Sequence, residues 1–186
     1  MHDLVAITAL GGSEPRVDTA GTVTCSEVPG VALASVAARL GQEKKAAKAL
    51  AKLTGAPAPG IGRFEGTPVM AFWTGPDQWM TEAPFESHED LAEQAKAALG
   101  DTASVSEQTD AWARFDLSGA DVLAVLELLC PLDTRKMAEG EAARASIHHL
   151  GCFVLCRTPE LFSIYGPRSS AGSLHHAIVA AMKSAL

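Results

Sequence analysis

The sequence predicts an α+β domain in which helices pack on a mainly antiparallel sheet. Short runs with an apolar residue at every second position alternate with longer stretches in which apolar residues recur every three or four positions. Turn signals rich in glycine, proline or aspartate separate neighbouring short runs, as in β-hairpins. Hairpins interleaved with helices are typical of this fold class.

Composition and charge exclude several classes of protein. The 186 residues carry 15 basic and 22 acidic side chains, a net charge of −7, so general binding to nucleic acid is not expected. No run of about 18 apolar residues occurs, and Asp3 stands where a secretory signal peptide would carry basic residues. We therefore expect a soluble, cytoplasmic protein that binds neither nucleic acid nor membrane.

The N-terminal residues 1–30 are predicted to form an irregular arm. They are rich in glycine, serine, threonine and proline around an apolar stretch at 4–10 and a β-leaning stretch at 22–28. The arm has too few apolar side chains to offset the entropy of ordering it. It should be mobile alone or become ordered on a partner, and residues 31–186 should form a single domain.

The next elements follow from periodicity and turn residues. Residues 31–40 are ambiguous, because their alanine content favours a helix whereas their alternation resembles a strand. Residues 43–53 carry one apolar face and form a helix that ends at Gly55. A glycine- and proline-rich loop at 55–68 leads to a β-hairpin over 69–83.

The middle of the chain should hold two capped helices around a pair of strands. Ser87 is expected to cap a helix that runs to Gly100. Residues 104–109 and 111–117 are expected to pair as neighbouring strands. Ser118, with Asp121 three residues later, should cap a strongly apolar helix that ends at Cys130 because Pro131 cannot continue it.

The last third should contain three short strands, at 145–150, 152–157 and 160–165, and a helix over 170–185. The similar stretches FWTGP and SIYGP, each an apolar run ending in Gly-Pro, suggest an internal duplication. Its halves would be residues 31–110 and 111–186.

The cysteines lack the paired framework of a small secreted protein, so we expect reduced, buried thiols. They are Cys25, Cys130, Cys152 and Cys156. The last two follow His148 and His149 in the stretch HHLGCFVLC, the one cluster with residue types that bind metals. On a strand, the two thiols would share a face with Val154, which favours a packed core over a metal site.

Other charged groups leave two interpretations open. A basic helix face formed by Lys44, Lys45, Lys48 and Lys52 is either simply solvated or an electrostatic docking patch that steers assembly. His175 and His176, near the start of the last helix, either lie in solvent or contact an anionic ligand or acidic partner. Asp116 and Asp121 flank a helix start, where capping explains Asp121 more simply than acid–base catalysis.

Three stretches carry motifs that are specific in their order and spacing. They are FWTGPDQWM at 72–80, ARFDLSGADVLAVLELLCPLD at 113–133 and IHHLGCFVLCRTPELFSIYGPRSSAGSLHHAI at 147–178. Together with VALASVAARLG at 31–41, they resemble the gamma subunits of heterotetrameric sarcosine oxidases over residues 20–186. The family fold is similar to part of the glycine-cleavage aminomethyltransferases, with ferredoxin-like β-α-β units. The resemblance therefore implies that residues 31–40 are a strand.

The resemblance also implies a function within an alpha-beta-gamma-delta complex. That complex would demethylate sarcosine oxidatively to glycine, pass the one-carbon unit to tetrahydrofolate and reduce oxygen to hydrogen peroxide. FAD, FMN, NAD, zinc and tetrahydrofolate would be held by the partner subunits. This chain would be the non-flavin subunit that assists assembly, with no catalytic, cofactor-binding or metal-binding residue of its own.

The residues that carry the resemblance are expected to be structural or interface residues. They are Trp73, Gly75, Pro76, Trp79, Cys130, Pro131, Leu132, Asp133, Arg168 and Ser169. Gly75 and Pro76 would form a turn. Trp112 and Arg168 are the side chains expected at the partner contact, because aromatic residues and arginines dominate binding energy at interfaces.

An alternative is a stand-alone folate-binding protein related to the aminomethyltransferases. It would need a pterin-sized pocket with a carboxylate. The K-G-C-Y-x-G-Q-E segment of such relatives is replaced here by LLCPLDTRKMAEGE. His175 and His176 stand where the gamma subunits usually carry aromatic residues, which leaves the N-methylated substrate open.

Overall fold

The structure, a computed structural model, describes residues 5–186 and has the predicted α+β class. Its strands are β1 (Val17–Ala20), β2 (Val23–Glu27), β3 (Val31–Ala38), β4 (Phe64–Glu65), β5 (Met70–Gly75), β6 (Gln78–Pro84), β7 (Ala103–Glu107), β8 (Trp112–Ser118), β9 (Glu141–Ile147), β10 (Leu150–Thr158) and β11 (Leu161–Pro167). Its α-helices are α1 (Glu43–Thr54), α2 (Leu91–Leu99), α3 (Val122–Leu129) and α4 (Ala171–Ala185).

The chain divides into two compact units. The central unit comprises Gly30–Thr109 and Gly140–Ala142. The terminal unit comprises residues 5–29, Asp110–Glu139 and Ala143–Leu186. The N-terminal residues thus belong to the same unit as the C-terminal part of the chain, which differs from the separate arm expected at 1–30.

The central unit has a ferredoxin-like arrangement. Its strands lie in the order β4-β5-β6-β3-β7, and the pairs are antiparallel. Apart from the two-residue β4, its elements follow along the chain as β3-α1-β5-β6-α2-β7, the ferredoxin-like pattern. Side chains of α1, α2 and one sheet face form the core, with Val36, Leu50 and Trp79 among its buried members.

Strand β3 confirms the structure implied by the family resemblance for residues 31–40. Helix propensity fails here because β3 is an interior strand, hydrogen-bonded to β6 on one side and β7 on the other. Its alternation places Ala32, Ala34 and Val36 in the core. These contacts outweigh the preference of alanine for helix, which amounts to less than about 1 kcal/mol per residue.

The terminal unit repeats this arrangement with one strand supplied from elsewhere in the chain. Its sheet has the order β1-β2-β8-β11-β10-β9. The elements β8, α3, β10, β11 and α4 correspond to the first five elements of the ferredoxin-like pattern. The place of the sixth element, the last strand of the pattern, is taken by β2, which pairs with β8 as β7 pairs with β3. Phe115, Ile164 and Leu174 lie in the core beneath α3 and α4.

The expectation of an irregular arm is wrong for residues 17–27, which form β1 and β2. Residues 5–16 have no helix or strand, but the buried Glu27 anchors them. Its carboxylate accepts hydrogen bonds from the backbone N–H of Leu10 (2.9 Å) and Arg16 (3.1 Å). The arm is therefore ordered by the chain's own sheet. The first four residues of the predicted arm, which include the start of its apolar stretch at Leu4, lie outside the described residues.

The predicted pairing of residues 104–109 with 111–117 is also wrong. Both segments form strands, but β7 pairs with β3 and β8 pairs with β2 and β11. Short sequence separation favoured a hairpin, yet the division between the two units falls between Thr109 and Asp110. Each strand therefore finds its partners within its own unit.

The two predicted serine caps are wrong, although both helices exist. Ser87 lies in a 3-10 turn and its hydroxyl donates to the carbonyl of Pro84 (3.4 Å). Ser118 is the last residue of β8. The carboxylate of Asp121 accepts a hydrogen bond from the Thr22 hydroxyl (2.6 Å) instead of capping α3. The Ser87 hydroxyl thus stabilises a turn, and the Asp121 carboxylate binds the connection between β1 and β2.

Most of the other elements agree with the sequence. Helix α1 ends at Gly55 as predicted, and this glycine has a left-handed conformation. The β5–β6 hairpin, the end of α3 at Cys130 and α4 are confirmed. Three late strands also exist, but the first is β9 at Glu141–Ile147 rather than 145–150, because the chain turns at His148 and His149.

The suspected copies FWTGP and SIYGP occupy different positions. The first belongs to β5, the second strand of its unit's pattern, and the second to β11, the third strand of its own. The position that corresponds to Pro167 is Pro84, with nearly equal backbone angles (φ −56°, ψ 127° and φ −58°, ψ 126°). Each proline is followed by a three-residue 3-10 turn that leads to a helix, so EAPFES and YGPRSS are the equivalent segments.

Substitution of Gly119 tests the contact that joins the N-terminal strands to β8. Gly119 has φ +138°, and a Cβ there would lie 1.9 Å from the carbonyl oxygen of Thr22. We expect Gly119→Ala to lower the free energy of unfolding by about 2 kcal/mol or more. The matched control is Gly172→Ala in α4, where a Cβ meets open space and should be neutral or stabilise by up to about 1 kcal/mol. Urea unfolding of both variants would measure these changes. Equal free energies of unfolding for the two variants would contradict the expectation.

Candidate functional site

The two tryptophans of the W-x-G-P-x-x-W motif flank the β5–β6 turn. Trp73 and Trp79 are directly opposite each other on these strands, and Gly75 and Pro76 lie between them as predicted. Trp79 is buried among α1 and α2, and its indole N–H donates to the carbonyl of Pro59 (2.8 Å). Trp79 is therefore a core residue, whereas Trp73 is half-buried at the end of β5.

The C-P-L-D motif forms the turn after α3. Cys130 is buried, which raises the pKa of its thiol, and Leu132 packs at the edge of the core. The carboxylate of Asp133 binds the ammonium of Lys136 (2.6 Å) at the surface. These contacts hold the segment against its own unit, with Pro131 ending the helix.

The two side chains expected at a partner contact both have contacts within the terminal unit. Trp112 begins β8 and packs against the ring of Phe153, with ring centroids 5.3 Å apart. Arg168 donates a hydrogen bond to the carbonyl of Ile7 (3.3 Å) and lies 3.9 Å from Asp110. Arg168 and Ser169 form the 3-10 turn before α4. Arg168 thus helps to order residues 5–16, and a role of these side chains in partner binding stays a prediction.

A polar network that sequence reasoning missed lies on the face of the terminal sheet opposite its helices. Asp116 is at its centre. One carboxylate oxygen accepts hydrogen bonds from the Arg114 Nε (2.8 Å) and the Ser163 hydroxyl (2.7 Å), and the other accepts from Arg114 Nη2 (2.7 Å). The three donors fix the carboxylate in one orientation.

The network continues to a second arginine. Arg157 donates to the Ser163 hydroxyl (3.0 Å) and to the Tyr165 hydroxyl (2.7 Å). The Arg114 guanidinium also lies 6.0 Å from the centroid of the Tyr165 ring. Arg157 thus connects to the Asp116 carboxylate through the Ser163 hydroxyl, an arrangement that builds a rigid polar layer.

Strand register explains both how the network forms and why it was missed. The β8–β11 pairing sets Ser163 opposite Asp116 and Tyr165 opposite Arg114. Alternation along β8 turns Phe115 and Leu117 to the helices and the polar residues away from them. The only signal in the sequence was that polar residues alternate with apolar ones. The partner strand cannot be read from that pattern.

The candidate metal cluster is split by the fold. His148 and His149 form the two-residue turn between β9 and β10, both with positive φ (48° and 67°). Cys152 and Cys156 lie in the core, and burial raises the pKa of the Cys152 thiol to about 11. No group of three or more potential ligands that could hold a metal ion is found in residues 5–186. The expectation of reduced, buried cysteines is confirmed, because all four are free and buried.

The histidines of α4 have different environments, and neither interpretation from the sequence describes His175. This side chain is buried, and its Nε2 lies 2.8 Å from a carboxylate oxygen of Asp18 on β1. The anionic group that it meets therefore belongs to its own chain. His176, with Leu128, Leu129 and His148, lines a surface groove of about 480 Å³ along α4.

Removing the network's carboxylate tests its structural importance. Asp116→Ala would leave the Arg114 guanidinium without its carboxylate and the Ser163 hydroxyl without its acceptor, and we expect it to lower the free energy of unfolding by about 3 kcal/mol. Asp121→Ala is the control, because that exposed carboxylate accepts one hydrogen bond from Thr22, worth about 1 kcal/mol. Chemical denaturation of both variants would contradict the expectation if Asp121→Ala were the more damaging.

The Asp18 carboxylate should make stability depend on pH. Hydrogen bonding to Arg16, with a smaller contribution from His175, lowers the pKa of Asp18 below its ordinary value of 3.8. A carboxyl group whose folded pKa is lowered stabilises the fold above its unfolded pKa, and the stabilisation is lost as pH falls through the folded pKa. The advantage of the wild type over Asp18→Asn in urea unfolding should therefore shrink between about pH 5 and about pH 3. An advantage that is constant over this range would contradict the role of the charge.

Two ferredoxin-like units in one chain define the class of fold, that of the aminomethyltransferases. The chain matches glycine cleavage system aminomethyltransferase T from Bartonella henselae with a TM-score of 0.62 and 15% identity, over 82% of this chain and 44% of that one. It also matches a chain of the heterotetrameric sarcosine oxidase from Corynebacterium sp. U-96, solved with pyrrole 2-carboxylate. That match has a TM-score of 0.79 and 24% identity, over 89% of this chain and 87% of the other.

Two further comparisons find no match. No protein-family model matches the chain, and a search of curated protein sequences finds no match. Within residues 5–186, no helix is long and apolar enough to cross a membrane.

Proposed function

We propose that the chain is the gamma-type, non-flavin subunit of a heterotetrameric sarcosine oxidase. The observation that carries the proposal is the extent of the match with the Corynebacterium chain. It covers 89% of one chain and 87% of the other, so the two chains have similar lengths and share a fold over most of each. The aminomethyltransferase, by contrast, is matched over 44% of its length.

The distribution of contacts supports a role in assembly. The motif residues Trp79 and Cys130 lie in cores, and Asp116 is fully engaged by three donors. Side chains held in this way give a rigid body with a fixed surface, which lowers the entropy lost when a partner binds. The chain would contribute such a surface to the complex.

The complex would oxidise sarcosine, or a related N-methylated amino acid, in the cytoplasm. Sarcosine, tetrahydrofolate and oxygen would give glycine, methylenetetrahydrofolate and hydrogen peroxide. The alpha and beta partner subunits would hold FAD, FMN, NAD and the folate, and the delta subunit would hold zinc. In this proposal the chain itself binds no cofactor.

A stand-alone folate-binding protein is the alternative, supported by the fold that the chain shares with the aminomethyltransferase. A groove of about 510 Å³ in the central unit carries several carboxylates but suits this ligand poorly. Its lining is Glu86, Ser87, Glu89, Asp90, Ala92, Glu93 and Glu107. The glutamate portion of a folate is anionic, so these carboxylates would repel it.

The deciding experiment is purification of the native complex from the source organism through a tag on this chain. We expect a yellow, multi-subunit species with flavin absorbance and sarcosine-dependent production of hydrogen peroxide. A colourless monomer would contradict the proposal. Calorimetry of that monomer with tetrahydrofolate would then decide the alternative, since saturable binding supports a folate protein and no heat of binding dismisses it.

A further inference from the structure

The lysine face of α1 has no partner within the part of the chain that the structure describes. It consists of Lys44, Lys45, Lys48 and Lys52. All four side chains are exposed, and none has a carboxylate within salt-bridge distance in residues 5–186. The opposite side of the helix is buried through Ala46 and Leu50. The lysine face is therefore directed at solvent and is free to bind.

This charge pattern works against the stability of α1 itself. Lys44 and Lys45 lie in the first turn, where the helix dipole disfavours cations. Lys44, Lys48 and Lys52 follow at intervals of four residues and repel one another. Glutamine has a similar helix propensity without the charge. Lys52 lies in the last turn, where the dipole favours a cation. Folding of the central unit therefore gives a reason for Lys52 but none for the lysines that precede it.

The lysine face is also unusual for this chain in its local concentration of positive charge. Four of its seven lysines lie within nine residues, although the net charge of the whole chain is −7. The same unit carries the carboxylates of Glu86, Glu89, Asp90 and Glu93 around its acidic groove. A long polyanion such as nucleic acid would meet these carboxylates as it crossed the unit, and they would repel it. A compact acidic patch on a folded protein could cover α1 alone.

We propose that the lysine face of α1 is a docking surface for a carboxylate-rich face of a partner subunit and that it accelerates assembly of the complex. This inference rests on the proposed function, since it identifies where the partner binds. Exposed charges of one sign raise association rates through long-range attraction, by about tenfold or more. The repulsion within α1 would be relieved when carboxylates of the partner lie against it.

Competition between two copies of the chain tests the proposal. A strain would carry the wild type with one tag and the double variant Lys44→Glu, Lys48→Glu with another. The matched control is Lys96→Glu, Lys183→Glu, which makes the same change in net charge on other helices. Mass spectrometry would measure each tagged form in the flavin-containing complex relative to its total amount.

We expect the α1 double variant to be about tenfold under-represented in the complex and the control to stay within about twofold of the wild type. Replacing Lys44 and Lys48 by glutamine should also reduce incorporation while raising the melting temperature of the isolated chain, because it removes their mutual repulsion and a cation from the first turn. A weakened assembly with a more stable chain is the opposite of what a merely structural role would give.

The contradicting outcomes separate the two proposals. Equal incorporation of the α1 and control variants overturns the docking surface and leaves the subunit assignment intact. A flavin complex that lacks the wild-type chain overturns both. Capture of the second tagged copy alone, without other subunits, would show that the face binds another copy of this chain and would overturn the partner-subunit docking.

Discussion

Pairing between β2 and β8 is the interaction on which the terminal unit depends. Cys25 lies opposite Leu117, and both side chains pack into the core beneath the helices. Because β2 is held there, Glu27 can order residues 5–16 and Asp18 on β1 can reach His175. The pairing joins segments about ninety positions apart along the chain, so it carries a high entropic cost of loop closure. The burial of apolar side chains from both strands beneath the helices must offset that cost.

The terminal sheet keeps two kinds of chemistry apart by alternation. Its helix face is apolar, with Phe115 and Leu117 in the core. Its other face carries the network centred on Asp116, whose hydrogen bonds join side chains of the same sheet. Networks of this kind, when satisfied, hold their side chains rigidly. A subunit that must present a constant surface to partners gains from such rigidity.

The proposed assembly role and the lysine face of α1 are consistent with one another. The motif residues expected at an interface, Trp112 and Arg168 among them, make contacts within the terminal unit. The lysine face, by contrast, forms no salt bridge with the described residues and lies on the central unit. Structural motifs would then preserve the fold, while a local charge pattern outside those motifs would govern association. Such a division is physically reasonable, because long-range attraction needs exposed charge and no fixed side-chain geometry.

How much could be predicted from the sequence differs between local and distant interactions. Helix α1 with its stop at Gly55, the β5–β6 hairpin and the buried cysteines all follow from periodicity and turn chemistry within a few residues. The serine caps at Ser87 and Ser118 followed the same local rules and were wrong, because turns and strands took those residues. Local rules thus fixed which segments are regular more reliably than they fixed where each one begins.

By itself the sequence determined the fold class, the positions of most elements and the charge pattern on α1. Only the tertiary structure decided that β2 completes the terminal sheet, that β7 and β8 belong to different units and that Asp116 lies between Arg114 and Ser163. Periodicity tells which face of a strand is buried, but it carries no information about which strand lies beside it. Strand partners and register are set by burial summed over the whole chain, which no local segment contains.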